Sequence, residues 1–437
     1  VVLVSAANVA AGAEQLSSRL QREIDAAKMI AKPGVALEDW GKRQLADSID
    51  LKALLEFGRK LDANVRIDAP QAGGDDAKRF KRKYVDEKEI VVLRKAHPDL
   101  KTSRWHVSAL MEDFSGERFN LDDKYDATLQ LRDFVEYMAH NRDDDPLMIF
   151  DCDFAERKGG GNDSPKPKPQ TKTEAKATIT TTTTTTPEKN TESRTETGTQ
   201  SSTGTQSLAD YQRPCCFDSS LFEVSEFRPP WRWLIVAPER SGTELHVDPL
   251  GTSAWNTLLS GRKLWAVLPK DTSRFDLPKQ TDMFASLWFL EVGMETAGYP
   301  PDHRPLFIVQ EEGETVFVPA GRHHVVMNLS HTVAITENFA AESHFDEVWR
   351  ITFRKEPEFC RTWYLCMLSK RPQLARRARS LCSEKECSVI DEWEVSSRAD
   401  RIRLSVSSER EADEGRGAGD YDDLDDEFSE DSGFHLL

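Results

Sequence analysis

The chain contains no apolar run near the roughly 18 residues that a membrane-spanning helix requires, and no two cysteines stand at C-x-x-C spacing. The second absence argues against a zinc ribbon. The seven cysteines (Cys152, Cys215, Cys216, Cys360, Cys366, Cys382, Cys387) form an odd set that reads as free thiols in a reducing compartment. Apolar residues are scarce, at 38% of 437, and mean hydropathy is -0.58. One sizeable folded domain with disordered additions is therefore expected rather than several packed ones. A basic excess is lacking as well. Twelve Asp/Glu against two Arg in residues 409–437 carry -10 of the formal -17, leaving -7 for the remainder. A mildly acidic folded part suits a cationic peptide partner better than bare nucleic acid. The opening VVLVSAANVAAGA reads as the remnant of a signal sequence or as the edge of an incomplete gene model, and its lack of a basic n-region favours the second.

Composition and periodicity divide the chain. Residues 1–77 read as a helical or partly disordered lead-in, with Leu16, Leu20, Ile24 and Ala27 at helical spacing. Residues 78–157 open on the basic cluster KRFKRKY, a solvated helix face or a nuclear localisation patch. They continue to a helix carrying Leu131, Phe134, Val135 and Met138 and to a short apolar strand at Leu147–Phe150. Residues 158–206, with TITTTTTTT, have hardly any large apolar side chain to offset ordering entropy, and are expected to be disordered. Residues 207–340 hold short apolar runs split by Pro and Gly (WRWLIVAP, GRKLWAVLP, LFIVQ, ETVFVPAG, HHVVMNL, TVAITENF), the pattern of a β-sandwich or barrel. Residues 341–390 read as helices, and 391–437 as a disordered acidic tail.

Within the β-rich stretch, HVDPLGTSAWN places His246 and Asp248 two residues apart, which strand alternation puts on one face. A lone H-x-D is as readily a polar turn. Downstream, FVPAGRHHVVMNL offers His323 and His324 where a new strand begins. Two neutral imidazoles and one carboxylate make the facial triad that leaves adjacent positions open on non-haem Fe(II). Lys263 shares a face with Trp265 and Val267, so an ammonium would point into an apolar interior, where it demands an anion. In TVAITENF, Ala334, Thr336 and Asn338 form a small, polar inward face, opposite Val333 and Ile335. With Asn256 nearby, these residues describe a cavity with a metal at one end and a cation, hydroxyls and amides for a small dicarboxylate.

GTELHVDPLGTSAWNTLLSGRKLWAVLP and GETVFVPAGRHHVVMNLSHTVAITENF resemble the Jumonji C oxygenases, closest to the subgroup of bifunctional arginine demethylases and lysyl hydroxylases. EYMAHNRDDDPLMIFD, LADYQRPCCFDSSLF and RPPWRWLIVAPERSGT extend the likeness in the same order, so that it covers roughly 119–155 and 207–375. The resemblance implies a double-stranded β-helix, a jelly roll of cupin type, mainly β with flanking helices. It implies Fe(II) held by His246, Asp248 and His324, with 2-oxoglutarate and O2 as cosubstrates. Lys263 then matches the partner of the distal carboxylate of 2-oxoglutarate, and Thr336, Asn256, Thr243 and Asn338 match other pocket positions. Alternation lets only one of His323 and His324 face inward, and the match of HVVMNL to the family motif selects His324.

The chain also departs from that pattern. Met148 stands where the family strand usually carries a tyrosine, whose lost hydrogen bond would weaken cosubstrate binding about tenfold at most. Arg322 and His323 replace paired tryptophans. The expected function is hydroxylation of protein side chains, lysyl hydroxylation with arginine demethylation beside it, on a Lys/Arg-rich substrate in the nucleus. An oxygenase of RNA or a small molecule, and a silent binding module, remain as alternatives.

Overall fold

The computed structural model describes residues 16–71, 73–97, 99–121, 127–156, 208, 211–214, 216–217, 220–270, 272, 283–296, 300 and 304–398. The low-complexity stretch 158–206 and the acidic run 409–437 lie outside them. By their contacts the described residues form two compact units, one drawn from 1–221 and 229–345 and one from 222–228 and 346–437.

Among the described residues, thirteen strands run through the first unit: β1 (Arg66–Asp68), β2 (Val91–Arg94), β3 (Arg118–Asn120), β4 (Thr128–Gln130), β5 (Ile149–Asp151), β6 (Arg232–Ala237), β7 (Gly242–His246), β8 (Ser253–Ser260), β9 (Arg262–Val267), β10 (Leu306–Glu311), β11 (Thr315–Val318), β12 (His324–Asn328) and β13 (Thr332–Phe339). They form a seven-stranded sheet in the order β1-β2-β11-β8-β13-β6-β5, a four-stranded sheet β10-β9-β12-β7, and a separate pair β3-β4. Every pairing but β1 with β2 is antiparallel. This is the expected jelly roll.

Alternation divides each strand between two environments. In β8, Trp255 and Leu259 join the large cluster formed with the helices, whereas Leu258 joins Ile235, Ala237 and Ala334 in a smaller one, with Met148 and Phe150 against it. Likewise Val333 and Ile335 of β13 face the helical side, and Ala334 the smaller cluster. In the four-stranded sheet, Leu264, Ala266, Val325 and Met327 face outward, while Trp265, Val267 and Val326 face inward with Ile308, Val316 and Val318. Each fully buried Leu, Ile, Val or Phe contributes about 1.5–3 kcal/mol. The turn from β8 to β9 needs glycine: Gly261 has φ +92, and a Cβ there would lie 2.1 Å from the His331 carbonyl oxygen.

Helix Ser18–Ala31 begins where the Ser17 hydroxyl accepts the Leu20 N–H at 3.2 Å, and it buries Leu20, Ile24, Ala27, Lys28 and Ala31. Helix Leu131–His140 buries Leu131, Phe134, Tyr137 and Met138, close to the spacing read from sequence. The KRFKRKY cluster runs through helix Asp75–Phe80 into a π-helical turn, Lys81–Asp86.

The second unit is helical, with Pro357–Lys370, Pro372–Ser380 and a further helix over 384–398. Its core packs aromatic rings against one another: Trp349 tilted against Trp363 at 5.7 Å and Phe222 edge-to-face with Trp363 at 5.0 Å. Two boundaries therefore differ from the sequence expectation. Residues 222–228 belong with the C-terminal helices rather than with the 207–340 core, because Phe222 supplies one of those rings, and the chain is still helical at 391–398, where Tyr364 donates to Glu394 at 2.9 Å. Among the described residues no helix is long and apolar enough to cross a membrane.

Candidate metal centre

His246 ends β7 and His324 begins β12, directly opposite it in the ladder. Side chains opposite one another in an antiparallel pair point to the same side of the sheet, and the two imidazole centroids lie 4.2 Å apart. Asp248 follows in the turn that starts a 3-10 helix, Pro249–Gly251. One ligand atom from each of the three lies within 4.8 Å of the others, the one cluster of three or more His, Cys, Asp or Glu side chains among the described residues that could hold a metal.

Each donor is set up in the same sense. Nδ1 of His246 donates to the Glu244 carbonyl at 2.7 Å, and Nδ1 of His324 to the Arg322 carbonyl at 3.0 Å. A carbonyl can only accept, so both protons sit on Nδ1 and both Nε2 lone pairs remain for a metal. Burial, with His246 nearby, holds His324 well below the usual imidazole value, which keeps it neutral. Burial raises the Asp248 carboxyl, opposed by His246 and by the Asn338 amide, which donates to Oδ1 at 3.3 Å. Oδ2 of Asp248 is buried with no hydrogen-bond partner among the described residues. A desolvated carboxylate oxygen beside two free imidazole lone pairs fits a divalent cation.

A β-bulge shapes this corner. Val326 pairs with Thr243 while His324 pairs with His246, so three steps on β7 match two on β12. Thr243 and His246 thus share the inner face despite their odd spacing. The strands approach closely here, and a Cβ on Gly242 would lie 2.0 Å from the Val326 carbonyl oxygen.

Further polar side chains line the inner face along the barrel. Asn256, Thr336 and Trp233 occupy one row across β8, β13 and β6. Oδ1 of Asn256, Oγ1 of Thr243 and Nε1 of Trp233 are buried without partners among the described residues, while the Thr336 hydroxyl donates to the Trp255 carbonyl at 2.9 Å. Asn338 sits at the metal end, beside Asp248 and Thr252. At the other end Lys263 is 4% exposed, and burial alone pushes its ammonium down to about 7. Its hydrogen bond goes to Asn328 Oδ1 at 2.9 Å, and among the described residues no carboxylate pairs with it. Met148 lies there too, its sulfur 3.8 Å from Asn328 Nδ2. Buried polar atoms and a cation without an anion suit a small acidic ligand.

His323 is half-buried and stands outside the triad; its carbonyl accepts the Leu268 N–H at 2.9 Å. Arg322 is buried, its Nε donating to the Leu268 carbonyl at 3.2 Å. Sequence reading overlooked Asn328 and Ser241, and takes Trp233 for a core aromatic. The signal for Asn328 was present, since it stands four residues beyond His324 on the same strand and hence on the same face.

A double-stranded β-helix with a His-Asp-His cluster inside one end defines a class of metal-dependent enzyme. Residues 233–339, which make up most of this barrel, match the family described as JmjC domain, hydroxylase. It is 28% identical over 388 residues to the bifunctional arginine demethylase and lysyl-hydroxylase psr-1 of Caenorhabditis briggsae, covering 85% of this chain and 84% of the relative. The Caenorhabditis elegans psr-1 protein is 26% identical over 377 residues, covering 83% and 81%. The 2-oxoglutarate and iron-dependent oxygenase JMJD4 of Danio rerio is 30% identical over 149 residues, 32% of this chain and 34% of that one.

Proposed function

We propose that the chain is an Fe(II)- and 2-oxoglutarate-dependent dioxygenase that hydroxylates protein side chains, with lysyl hydroxylation as the main reaction and arginine N-demethylation beside it. The observation that carries this reading is the pairing of opposite unmet charges in one barrel: Asp248 Oδ2 without a partner at one end and Lys263 without an anion at the other. The relatives named for arginine demethylation and lysyl hydroxylation support the substrate class.

His246 and His324 would hold the iron through Nε2 and Asp248 through its carboxylate. Bound there, Fe(II) would supply the oxidative chemistry in which 2-oxoglutarate and O2 yield succinate, CO2 and an oxygen atom for a substrate C–H bond. Lys263 would take the distal carboxylate, with Thr336, Asn256 and Thr243 offering hydroxyl and amide contacts along the cosubstrate. The apolar wall of Ile235, Ala237, Leu258 and Ala334 would exclude water beside it. Met148 contributes thioether where a hydroxyl would bond more strongly. The net charge of -7 outside the acidic run favours a Lys/Arg-rich substrate, and the KRFKRKY cluster is consistent with work in the nucleus.

The test is succinate formation by purified protein with Fe(II), ascorbate and O2, beside His324→Ala, with and without a lysine- and arginine-rich peptide. Iron-dependent turnover absent from the variant, with one oxygen atom gained on a peptide lysine, is the expected result. Loss of a methyl group from a methylated arginine peptide would move arginine demethylation to the front. Bound iron without turnover on any peptide would instead favour the binding module.

A further inference from the structure

Lys263 has a flexible stem, so something must aim its ammonium before an anion arrives. Its hydrogen bond goes to Asn328, its register partner across β9 and β12. Gln310, its neighbour on the other side, has its amide turned to Trp265, Asn256 and Glu314. Asn328 is 1% exposed, and both ends of its amide are engaged. Oδ1 accepts from Lys263 at 2.9 Å and from Thr332 Oγ1 at 3.0 Å. Nδ2 donates to Ser241 Oγ at 3.0 Å and faces Met148 Sδ at 3.8 Å. The Ser241 hydroxyl spends its own proton on the Pro238 carbonyl at 2.5 Å, so towards Asn328 it only accepts. A flipped amide would set N–H against the ammonium and oxygen against oxygen, and the orientation is therefore decided by its partners.

We propose that Asn328, oriented by Ser241 and Thr332, is the positioning residue of the cosubstrate pocket. It holds the Lys263 ammonium on the inner face through a neutral oxygen and leaves the charge free for the distal carboxylate of a dicarboxylic acid. This rests on the assignment of Lys263 to that carboxylate. A carboxylate in place of Asn328 would hold the ammonium equally well in space, but it would neutralise it, and the incoming dicarboxylate would have to displace an internal ion pair.

The experiment measures 2-oxoglutarate binding by calorimetry to the full chain loaded with Mn(II), which needs no turnover, together with Mn(II) affinity and thermal unfolding, for wild type, Asn328→Asp, Ser241→Ala and Lys263→Ala. Asn328→Asp is expected to weaken 2-oxoglutarate binding about 100-fold and Ser241→Ala a few-fold, with Mn(II) affinity unchanged. A merely structural role would lower Mn(II) and 2-oxoglutarate binding together. Wild-type 2-oxoglutarate affinity in Asn328→Asp overturns the proposal. Should that variant lose its cooperative unfolding transition, Ser241→Ala decides, and wild-type affinity there overturns it. If Lys263→Ala itself binds 2-oxoglutarate normally, the pocket assignment fails; if it loses binding while Asn328→Asp retains it, the role of Asn328 alone fails.

Discussion

Two buried lysines carry their charges in opposite ways. Lys28, 8% exposed, contacts Asp143 Oδ1 at 2.6 Å, while Tyr137 donates to the other oxygen at 2.5 Å and the Trp40 ring lies 5.0 Å from the ammonium. Lys263, 4% exposed, has a neutral amide. The first charge is answered inside the protein and ties helix Ser18–Ala31 to the turn after Leu131–His140. The second is left open, as is Asp248 at the far end of the same interior. A buried charge without a counter-charge costs stability unless a ligand supplies it. The contrast between paired and unpaired charges separates structural from receptive groups.

The largest expected effect separates the two acids. Asp248→Asn should lower metal affinity by at least about 100-fold and abolish turnover without loss of metal-free stability, since a desolvated carboxylate disappears. Asp143→Asn should leave metal binding intact and destabilise the fold by about 3–5 kcal/mol, read by chemical denaturation. Next come the lysines. Lys28→Met should also cost about 3–5 kcal/mol by stranding Asp143, while Lys263→Met should be neutral or stabilising and still weaken 2-oxoglutarate binding by about 10–100-fold. Equal destabilisation by the two lysine changes would break the comparison.

The pH dependence follows from the depressed value of Lys263, about 7 in the fold against about 10.4 for an exposed lysine. Between those values the unfolded chain binds the proton more readily, so this group makes metal-free stability rise with pH across the window; below it the penalty is complete. Cosubstrate binding uses the charged form. Above about pH 7 the affinity of wild type for 2-oxoglutarate should fall by up to about tenfold per pH unit, and in Lys263→Met this dependence should vanish. The smallest effect is a gain: Met148→Tyr should tighten 2-oxoglutarate binding by about tenfold at most, measured by calorimetry. No gain would mean that the Met148 sulfur, 3.8 Å from Asn328, does not face the cosubstrate.

Much of the site was legible in order along the chain. His246, Asp248, Lys263, Asn256 and Thr336 fall on strands or adjoining turns whose two-residue period assigns their faces. The helices were legible through the spacing of Leu20 and Ile24 or of Leu131, Phe134 and Met138. Less legible was anything resting on a partner remote in sequence. Phe222 joins the aromatic core of Phe359 and Trp363, more than a hundred residues downstream, and nothing local marks it. The Lys28–Asp143 pair, 115 residues apart, was equally hidden.

By itself, then, the sequence determined which residues could share a face, because alternation is set by the geometry of one extended strand and needs no neighbour. It also determined that one of two adjacent histidines would point inward. Only the tertiary structure decided that Thr243 joins His246 on the inner face, because the bulge that shifts the register exists only between β7 and β12. The same holds for Lys263. Its sequence neighbours predict a buried ammonium, but whether that charge meets a carboxylate or the oxygen of Asn328 depends on which strand lies beside it, and pairing between strands is a long-range choice that no local period encodes.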